Sequence, residues 1–357
     1  GMKHYFQISI FILIASQVFG QAPKFSNDFL NIGVGSRGMA MAGAVTASTD
    51  HINAAYWNPA GLVNISANFQ VGAQHAEWYS GIGNYDYIGF GKKLDAEGKS
   101  FGAISAIRMG IDNIPNTLRL IGPDGSVDYS RIQSFSVVDY GFLVSYGRKL
   151  KNEAWNVGLN AKIIHRSFGS FAKAWGVGFD VGVLYHKNKI RFSIVGKDIT
   201  STYNAYKFTF SDEEKAVLQA TDNTIPVSSV EYTLPKLNFG FIYTFTLSPK
   251  IGLSTELDLD CSTNGTKASL IGADKFNAEP KIGIELDYNK KIFLRLGSNN
   301  FQSELLNDGT GKEQFTFQPT GGLGLRIGKI GIDYALTNIG NVGVGLYSHF
   351  FSVSLDF

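Results

Sequence analysis

From residue 67 onward, apolar and polar side chains alternate along a series of short segments. In 174–186, for example, Trp175, Val177 and Phe179 alternate with small or polar residues. A period of two is typical of β-strands with one apolar and one polar face. The pattern predicts fourteen strands: 67–78, 82–92, 100–110, 132–148, 153–167, 174–186, 190–197, 233–247, 250–260, 278–289, 291–298, 315–328, 330–336 and 345–357.

The connections between these strands differ in length at the two ends of the sheet. Most even-numbered connections are tight turns, such as 149–152 and 187–189. Four odd-numbered connections are long, namely 111–131, 198–232, 261–277 and 299–314. Short turns at one end and long loops at the other are typical of outer-membrane barrels, whose long loops face outward. An even strand count also returns the chain to the end where the first strand begins.

Composition narrows the possible classes of protein. Charged residues make up 17% of the 357 residues, below the usual ~25% of soluble domains. The mean hydropathy of −0.01 is too polar for a bundle of membrane helices. A net charge of +2 gives no basic excess for binding nucleic acid. We therefore predict an all-β protein, a fourteen-stranded antiparallel transmembrane β-barrel over 67–357.

The N-terminus has the pattern of an export signal. Gly1 precedes the initiator methionine and is interpreted as an added residue. The basic start and the apolar run 8–18 predict a signal peptide over 1–20, cleaved after Gly20. The run is shorter than the ~20 residues that cross a bilayer as a helix. A buried N-terminal strand or helix is the alternative. The signal predicts export to the bacterial outer membrane.

Residues 21–66 show no strand alternation and contain many small residues, especially over 32–44. A barrel of fourteen strands encloses more space than its own side chains fill. We therefore predict that 21–66 form an N-terminal plug, or hatch, in the lumen. Three inward-facing wall glycines are expected to give it room, Gly176, Gly178 and Gly182. The alternative is a solvated leader outside the barrel.

Two blocks within this segment carry a family resemblance. Residues 29–44 read FLNIGVGSRGMAMAGA, including Arg37 and Gly38, and 54–62 read AAYWNPAGL. They resemble the N-terminal region of the PorV/PorQ family, outer-membrane proteins of Bacteroidetes-type bacteria related to FadL-type transporters. The triplet Asn58-Pro59-Ala60 is similar to a motif that both groups carry before their first strand. Physically, Pro59 moves Asn58 out of the helical region, and the Asn58 side chain is expected to hold a turn.

Recognisable catalytic motifs are absent from the sequence. It contains no G-x-S-x-G, H-E-x-x-H or P-loop pattern, and its six histidines are scattered. Cys261 is the only cysteine, so no intramolecular disulfide can form. We predict no enzymatic activity, no catalytic residue, no cofactor, no metal site and no nucleic-acid partner.

If the apolar strand faces meet lipid, many charged side chains must face the lumen. One interpretation is a hydrated or ion-paired wall that also seats the plug through Arg37. The other is an acidic funnel that selects cationic or polar solutes. Opposite charges on adjacent strands are expected to pair across the ladder. The predicted lumen-facing charged residues are Glu256, Asp258, Asp260, Glu285, Asp287, Asp333, Asp356, Arg191, Arg295 and Arg326.

Two functions remain open, and both assume contact with outer-membrane lipid. The PorV/PorQ resemblance implies a component associated with type IX secretion, whose outer loops 198–232 and 299–314 bind a translocon subunit or secreted cargo. The capping-box sequence from Ser211 to Glu214 predicts a short helix there, as a docking element or a lid. The alternative is a FadL-like transporter that passes hydrophobic small molecules through the hatch and a lateral opening. It predicts a Phe- and Tyr-lined apolar pocket and a kinked strand. A purely structural barrel is a third option.

The last predicted strand ends the chain with an alternating face. Phe351, Val353, Leu355 and Phe357 point to one side of it. An amphipathic strand that closes on an aromatic residue resembles the signal read by the bacterial barrel-assembly machinery.

We therefore expect Phe357→Asp to lower the yield of folded protein in the outer membrane severalfold, because a charge replaces the terminal aromatic side chain. The amount of heat-modifiable protein in isolated outer membranes measures this. Phe357→Tyr, which keeps the ring, is the control. Equal yields from the aspartate and tyrosine variants would contradict the assignment of Phe357 as an assembly signal.

Overall fold

Antiparallel strands make up most of what the computed structural model describes, which is residues 27–357 apart from 123, 226–227, 264–270, 274–275 and 339–346. The predicted signal peptide lies outside these residues. The strands of the described chain are β1 (Phe69–Trp78), β2 (Gly83–Lys93), β3 (Ser100–Asn116), β4 (Gln133–Lys149), β5 (Trp155–Phe168), β6 (Ala172–Lys187), β7 (Ile190–Lys197), β8 (Thr202–Phe208), β9 (Ser228–Thr233), β10 (Lys236–Ser248), β11 (Ile251–Ser262), β12 (Ile271–Ala273), β13 (Phe276–Tyr288), β14 (Ile292–Leu305), β15 (Glu313–Ile327), β16 (Ile330–Thr337) and β17 (Ser348–Asp356).

Fourteen of these strands form a closed ring. Each pairs antiparallel with the next, with β7 beside β10 and β11 beside β13. The ring closes because β1 pairs with both β2 and β17. Only β8, β9 and β12 of the described strands lie outside it. The predicted fourteen-stranded antiparallel barrel is confirmed, and each predicted strand coincides with one strand of the ring.

The outer surface of the barrel is apolar. On β10, Leu237, Phe239, Phe245 and Leu247 are exposed, whereas Asn238 between the first two is buried. Large exposed apolar side chains recur in this way around the ring. Such a surface is far more apolar than that of a soluble monomer, and it is what lipid hydrocarbon would cover.

Two of the predicted long loops are shorter than the alternation indicated. β3 continues to Asn116 and β14 to Leu305, so paired strands replace the first residues of 111–131 and about half of 299–314. The register shifts between Ile111 and Ile114 on β3, and again between 299 and 302 on β14. A bulge breaks the period of two, so the pattern along the chain ends there although the strand continues.

The longest predicted loop, 198–232, is also more ordered than expected. It contains the hairpin β8–β9 and a helix, α3 (Asp212–Ala220), named after the two helices of the N-terminal segment, α1 (Ser36–Ala40) and α2 (Ala54–Trp57). The predicted capping box at the start of α3 is confirmed: the Glu214 N–H donates to Ser211 Oγ at 3.2 Å, and the Ser211 N–H to Glu214 Oε2 at 2.9 Å. Of the described helices, none has the length and apolar character to cross a bilayer.

Residues 27–66 lie inside the ring and touch inward-facing side chains around its circumference. Their regular elements are α1, α2 and the 3₁₀ turns Asp28–Asn31 and Pro59–Asn64. Val34, Met41, Ile52 and Leu62 are fully buried. We call 27–66 the luminal segment; whether it stops solutes is a prediction tested below.

The luminal segment contacts the closing pair of strands, which we call the seam. The Gly35 N–H donates to Gln74 Oε1 on β1. The Ser36 N–H donates to Ser352 Oγ on β17 at 2.9 Å, and the two serine hydroxyls lie 2.6 Å apart. Gln74 and Ser352 are opposite each other in the β1–β17 ladder. Two consecutive residues therefore bind both sides of the seam.

The wall glycines give room to two different neighbours. A Cβ at Gly182 would lie 2.1 Å from Asn58 Oδ1, so this glycine accommodates the luminal segment as expected. The expectation for Gly176 and Gly178 is wrong, because the side chains above them belong to β8. A glycine in a strand indicates that another group approaches the backbone closely, but the sequence alone does not identify that group.

Gly158 on β5 is in the tightest contact with the luminal backbone. A Cβ there would lie 2.2 Å from Ala60 N. We expect Gly158→Ala to displace the segment, at a cost of about 1–3 kcal/mol from overpacking, and to raise conductance in planar bilayers. Gly321→Ala is the control, because its new Cβ would meet Leu296 at an ordinary 3.6 Å. Equal conductance of both variants would show that the segment does not block ions.

Candidate functional site

The glycine-rich block of the luminal segment folds around the indole of Trp57. A Cβ at Gly38 would lie 2.7 Å from Trp57 Nε1, and one at Gly33 would lie 3.0 Å from the ring. The indole N–H donates to the Val34 carbonyl at 2.8 Å. The two blocks that carry the family resemblance therefore form one packed unit, which explains why small residues and a tryptophan occur together.

Asn58 and Pro59 form the predicted turn. Asn58 is extended, with φ −161° and ψ 104°, and Pro59 begins the 3₁₀ turn that leads toward β1. Asn58 Oδ1 accepts the Ala60 N–H at 3.1 Å, and Asn58 Nδ2 donates to the Thr46 carbonyl at 2.9 Å. The predicted role of Asn58 in holding a local turn is confirmed, and the same side chain also ties the two halves of the segment together.

A chain of alternating charges joins the luminal segment to the wall. Arg37 Nε lies 2.9 Å from Glu285 Oε2, which also accepts Arg295 Nε at 2.7 Å. Arg295 is almost fully buried and continues to Asp333, whose carboxylate lies 3.1 Å from Arg326. The charges follow the sequence +, −, +, −, +, so each carboxylate lies between two guanidinium groups. Arg37 thus seats the segment on the wall through ion pairs.

Arg37 keeps its charge in this position. Burial alone would lower its pKa, but the carboxylates of Glu285 and Asp50 outweigh burial and raise the pKa above its ordinary value. Burial lowers the pKa of nearby His51, which favours its neutral form. Neither ring nitrogen of His51 has a hydrogen-bond partner within the described chain. Arg37 is therefore the charged group of the segment that pairs with the wall carboxylate of Glu285.

A second attachment uses backbone groups of the luminal segment. The Ala47 N–H donates to Glu256 Oε1 at 2.8 Å, and the Thr46 N–H donates to Asp258 Oδ2 at 3.1 Å. The Thr46 hydroxyl also reaches Asp258 Oδ2, at 2.7 Å. Glu256 and Asp258 are fully buried. These two carboxylates act as acceptors for irregular backbone rather than as a surface exposed to solutes.

The other predicted luminal charges have separate roles. Asp260 pairs with Lys281 at 2.7 Å. Asp287 accepts the Lys290 N–H at 3.1 Å and so stabilises a short turn. Arg191 faces inward on β7, and no ion pair of its side chain occurs within the described residues. Asp356 accepts a hydrogen bond from Gln70 at 2.7 Å. The acidic-funnel interpretation thus loses most of its free carboxylates.

Two cavities lie on opposite sides of the luminal segment. The long-loop cavity, of about 330 Å³, includes Trp78 and Asn338 in its lining. The short-turn cavity, of about 380 Å³, includes Gln70 and Asp356. Trp57 lines both, so its indole separates them.

The transporter interpretation predicts an apolar pocket lined by Phe and Tyr, and the long-loop cavity differs from this. Its described aromatic lining is Tyr and Trp, with Tyr56, Tyr79, Trp57 and Trp78. Amides, hydroxyls and three lysines line much of the rest. The cavity is therefore amphipathic, because inward-facing strand positions here are mostly polar.

Strand pairing along β6 is interrupted at one place. β6 pairs with β7 up to Gly196 and with β8 from Tyr203 onward, so 197–202 contain extra residues. Lys162 lies under this interruption, with its ammonium 2.8 Å from Asp180 and also bound to Asp198. These are buried side chains, and their ion pairs join β5, β6 and the irregular residues that follow β7.

Lys162, Asp180 and Asp198 are absent from the sequence prediction of the site. The alternation that points Ile163 outward already places Lys162 in the lumen. Its partner Asp198 could not be found in this way, because it lies in the irregular residues between β7 and β8. Within the described residues, no cluster of His, Cys, Asp and Glu has the arrangement of a metal site.

Solved structures with the same architecture include hydrocarbon channels and transporters. CymD, a monoaromatic hydrocarbon channel, is 13% identical with a TM-score of 0.56, covering 91% of this chain and 98% of that one. The toluene transporter TbuX of Ralstonia pickettii is 12% identical, TM-score 0.55, with coverage of 91% and 98%. A FadL homologue of Pseudomonas aeruginosa is 10% identical, TM-score 0.55, with coverage of 94% and 100%. The chain has the fold of a FadL-type barrel.

At these identities the likeness concerns the fold alone. No family model and no curated protein matches the sequence. The finer resemblance to the PorV/PorQ family stays a prediction.

Glu285 is the shared acceptor of Arg37 and Arg295, so Glu285→Gln should loosen the luminal segment. Removing one partner of a buried charge pair costs about 3 kcal/mol or more. We expect a lower denaturant midpoint and new tryptic cleavage after Arg37. Glu279→Gln, an exposed position on the same strand, is the control. Unchanged stability and protection of the Glu285 variant would contradict the seating role.

Proposed function

We propose that the protein is an outer-membrane transporter that admits hydrophobic small molecules into the long-loop cavity and past the luminal segment. The observation that carries this proposal is the pair of cavities separated by Trp57. A molecule bound in the long-loop cavity needs only a local movement of the luminal segment to reach the short-turn cavity. The fold shared with hydrocarbon channels supports the same class of function.

The attachments of the segment suit a part that moves. They include ion pairs and hydrogen bonds, such as Arg37–Glu285 and Ser36–Ser352, beside the packing of buried apolar side chains such as Ile52, and they involve no continuous strand pairing in the described residues. Polar contacts of this kind can be exchanged for water at small net cost. In this proposal the long loops face the medium, because short turns belong to the periplasmic side.

Sideways release into the membrane is the exit that we propose. The interruption at 197–202 is a place in the described wall where strand pairing changes partner. Opening there requires Lys162 to leave Asp180 and Asp198. A ligand could then pass between β6 and β7 without crossing the whole lumen.

A secretion-associated role is the second candidate. It rests on the resemblance of 29–62 to PorV/PorQ, and the hairpin β8–β9 with α3 offers a folded element at the long-loop end. Purification of tagged protein from native membranes in mild detergent distinguishes the secretion role from the transport role. Co-purification of a large translocon subunit or cargo favours secretion; bound apolar molecules favour transport.

Locking the luminal segment tests transport directly. Ser36→Cys with Ser352→Cys, in a Cys261→Ser background, should form a disulfide because the two hydroxyls lie 2.6 Å apart. We expect uptake of radiolabelled toluene into proteoliposomes to fall at least tenfold when oxidised and to return on reduction. Each single-cysteine variant is the control. Equal uptake in both redox states would overturn passage past the segment.

A further inference from the structure

Two lysines face the long-loop cavity from adjacent strands. Lys197 ends β7, Lys236 begins β10, and the two are directly opposite in the antiparallel ladder. Both side chains line the cavity. Like charges directly opposite on neighbouring strands destabilise a sheet unless an anion lies between them.

Neither lysine has a carboxylate partner within the described residues. Lys197 Nζ lies 4.0 Å from the centre of the Tyr56 ring and 5.6 Å from that of Trp57. Lys236 Nζ donates to Asn31 Oδ1 at 2.9 Å, a neutral amide. The wall therefore presents two ammonium groups that aromatic rings and an amide stabilise only in part.

The acidic side chains of the cavity do not neutralise this pair. Asp260 is bound by Lys281 at 2.7 Å and by Asn238 Nδ2 at 2.8 Å. Asp28 is exposed and has no ion pair in the described structure. The two aspartates nevertheless oppose a multiply charged anion, so the site favours a ligand with a single negative charge.

Part of the cavity lining is apolar. Ile32, Met39 and the ring of Trp57 belong to the luminal segment and line the same space. A molecule with a charge at one end and an apolar body at the other would meet lysines on the wall and apolar groups on the segment. The volume of about 330 Å³ suits a small molecule.

We propose that the long-loop cavity binds a small aromatic monocarboxylate, with its carboxylate between Lys197 and Lys236 and its ring against Trp57. This specifies the ligand class of the proposed transporter and rests on that function for its biological meaning, although binding does not require transport. A neutral hydrocarbon would leave both ammonium groups without a counter-charge.

Calorimetry on the purified full-length protein in detergent at pH 7.5 tests the site. Benzoate is the probe, benzamide and toluene are the neutral comparators, and inorganic phosphate is the multiply charged one. We expect benzoate to bind, with binding roughly 10- to 100-fold weaker in Lys197→Met or Lys236→Met because a charged hydrogen bond is lost. Lys250→Met, in an exposed turn, is the control and should bind as wild type.

The unfolding temperature of the ligand-free lysine variants distinguishes a ligand-binding role of the lysines from a merely structural one. Removing one of two unpaired like charges should leave the unfolding temperature of Lys197→Met unchanged or higher. A merely structural lysine, held on Tyr56, would instead give a lower one. Lys197→Arg, which keeps the charge, should retain benzoate binding.

Three results would overturn the proposal: no benzoate binding to wild type, equal binding of benzamide, or equal affinity of both lysine variants and wild type. Stronger binding of phosphate would also overturn it. Failure of the transport proposal gives a different outcome, namely toluene uptake that does not depend on the state of the Ser36–Ser352 lock. Benzoate binding can succeed or fail independently of that measurement.

Discussion

Closure of the backbone hydrogen-bond ladder is the constraint on which this structure depends. A bilayer offers no water to unpaired N–H and C=O groups, so a sheet can span it only as a closed ring. Pairing of β1 with β17 removes the last free edge. Because strand side chains alternate, closure also assigns every second residue to lipid and the others to the lumen. The polar interior is a consequence of this geometry.

The polar side chains of the interior and the backbone of the luminal segment supply hydrogen-bond partners to each other. A segment with little regular structure has many backbone N–H groups without partners of its own, and buried donors must be bonded. Wall side chains supply the acceptors, as Glu256 does for Ala47 and Gln70 does for the Ile52 N–H at 2.7 Å. A luminal carboxylate in such a barrel is therefore not evidence of a water-filled, ion-selective channel.

Alternation predicted all fourteen barrel strands, because a lipid-facing side on every strand produces a strong period of two in the sequence. The predicted third strand is shorter than β3, because a bulge after Ile111 shifts the alternation of apolar and polar side chains although strand pairing continues. Alternation also assigned Glu285 and Arg295 to the lumen-facing side of their strands, whereas Arg37 was assigned to the segment because 21–66 lack alternation. Alternation alone could not say which wall glycines face the segment, since β8 rather than 27–66 covers Gly176 and Gly178.

The pairing between Lys197 and Lys236 shows a second limit of prediction from the sequence. Each lysine looks ordinary at the end of its own strand, and their significance depends on a register that pairs residues 39 positions apart. The barrel and the luminal segment enclose the cavity, and its lysines and aspartates give it charge. Shared architecture at about a tenth identity thus leaves the ligand class to be argued from individual contacts.

The seam has a consequence for folding kinetics. The closing pair joins distant parts of the chain: Gln70 and Asp356, hydrogen-bonded across it, are 286 residues apart. Contacts of such high sequence separation form slowly, because the entropy of a long loop is lost before the contact is gained. Gly35 reaches Gln74 over only 39 residues, and the neighbouring Ser36 then presents a hydrogen-bonding group to Ser352. The luminal segment, once docked on the first strand, offers a hydrogen-bonding partner to the last one, and this lowers the entropic barrier to completing the ring.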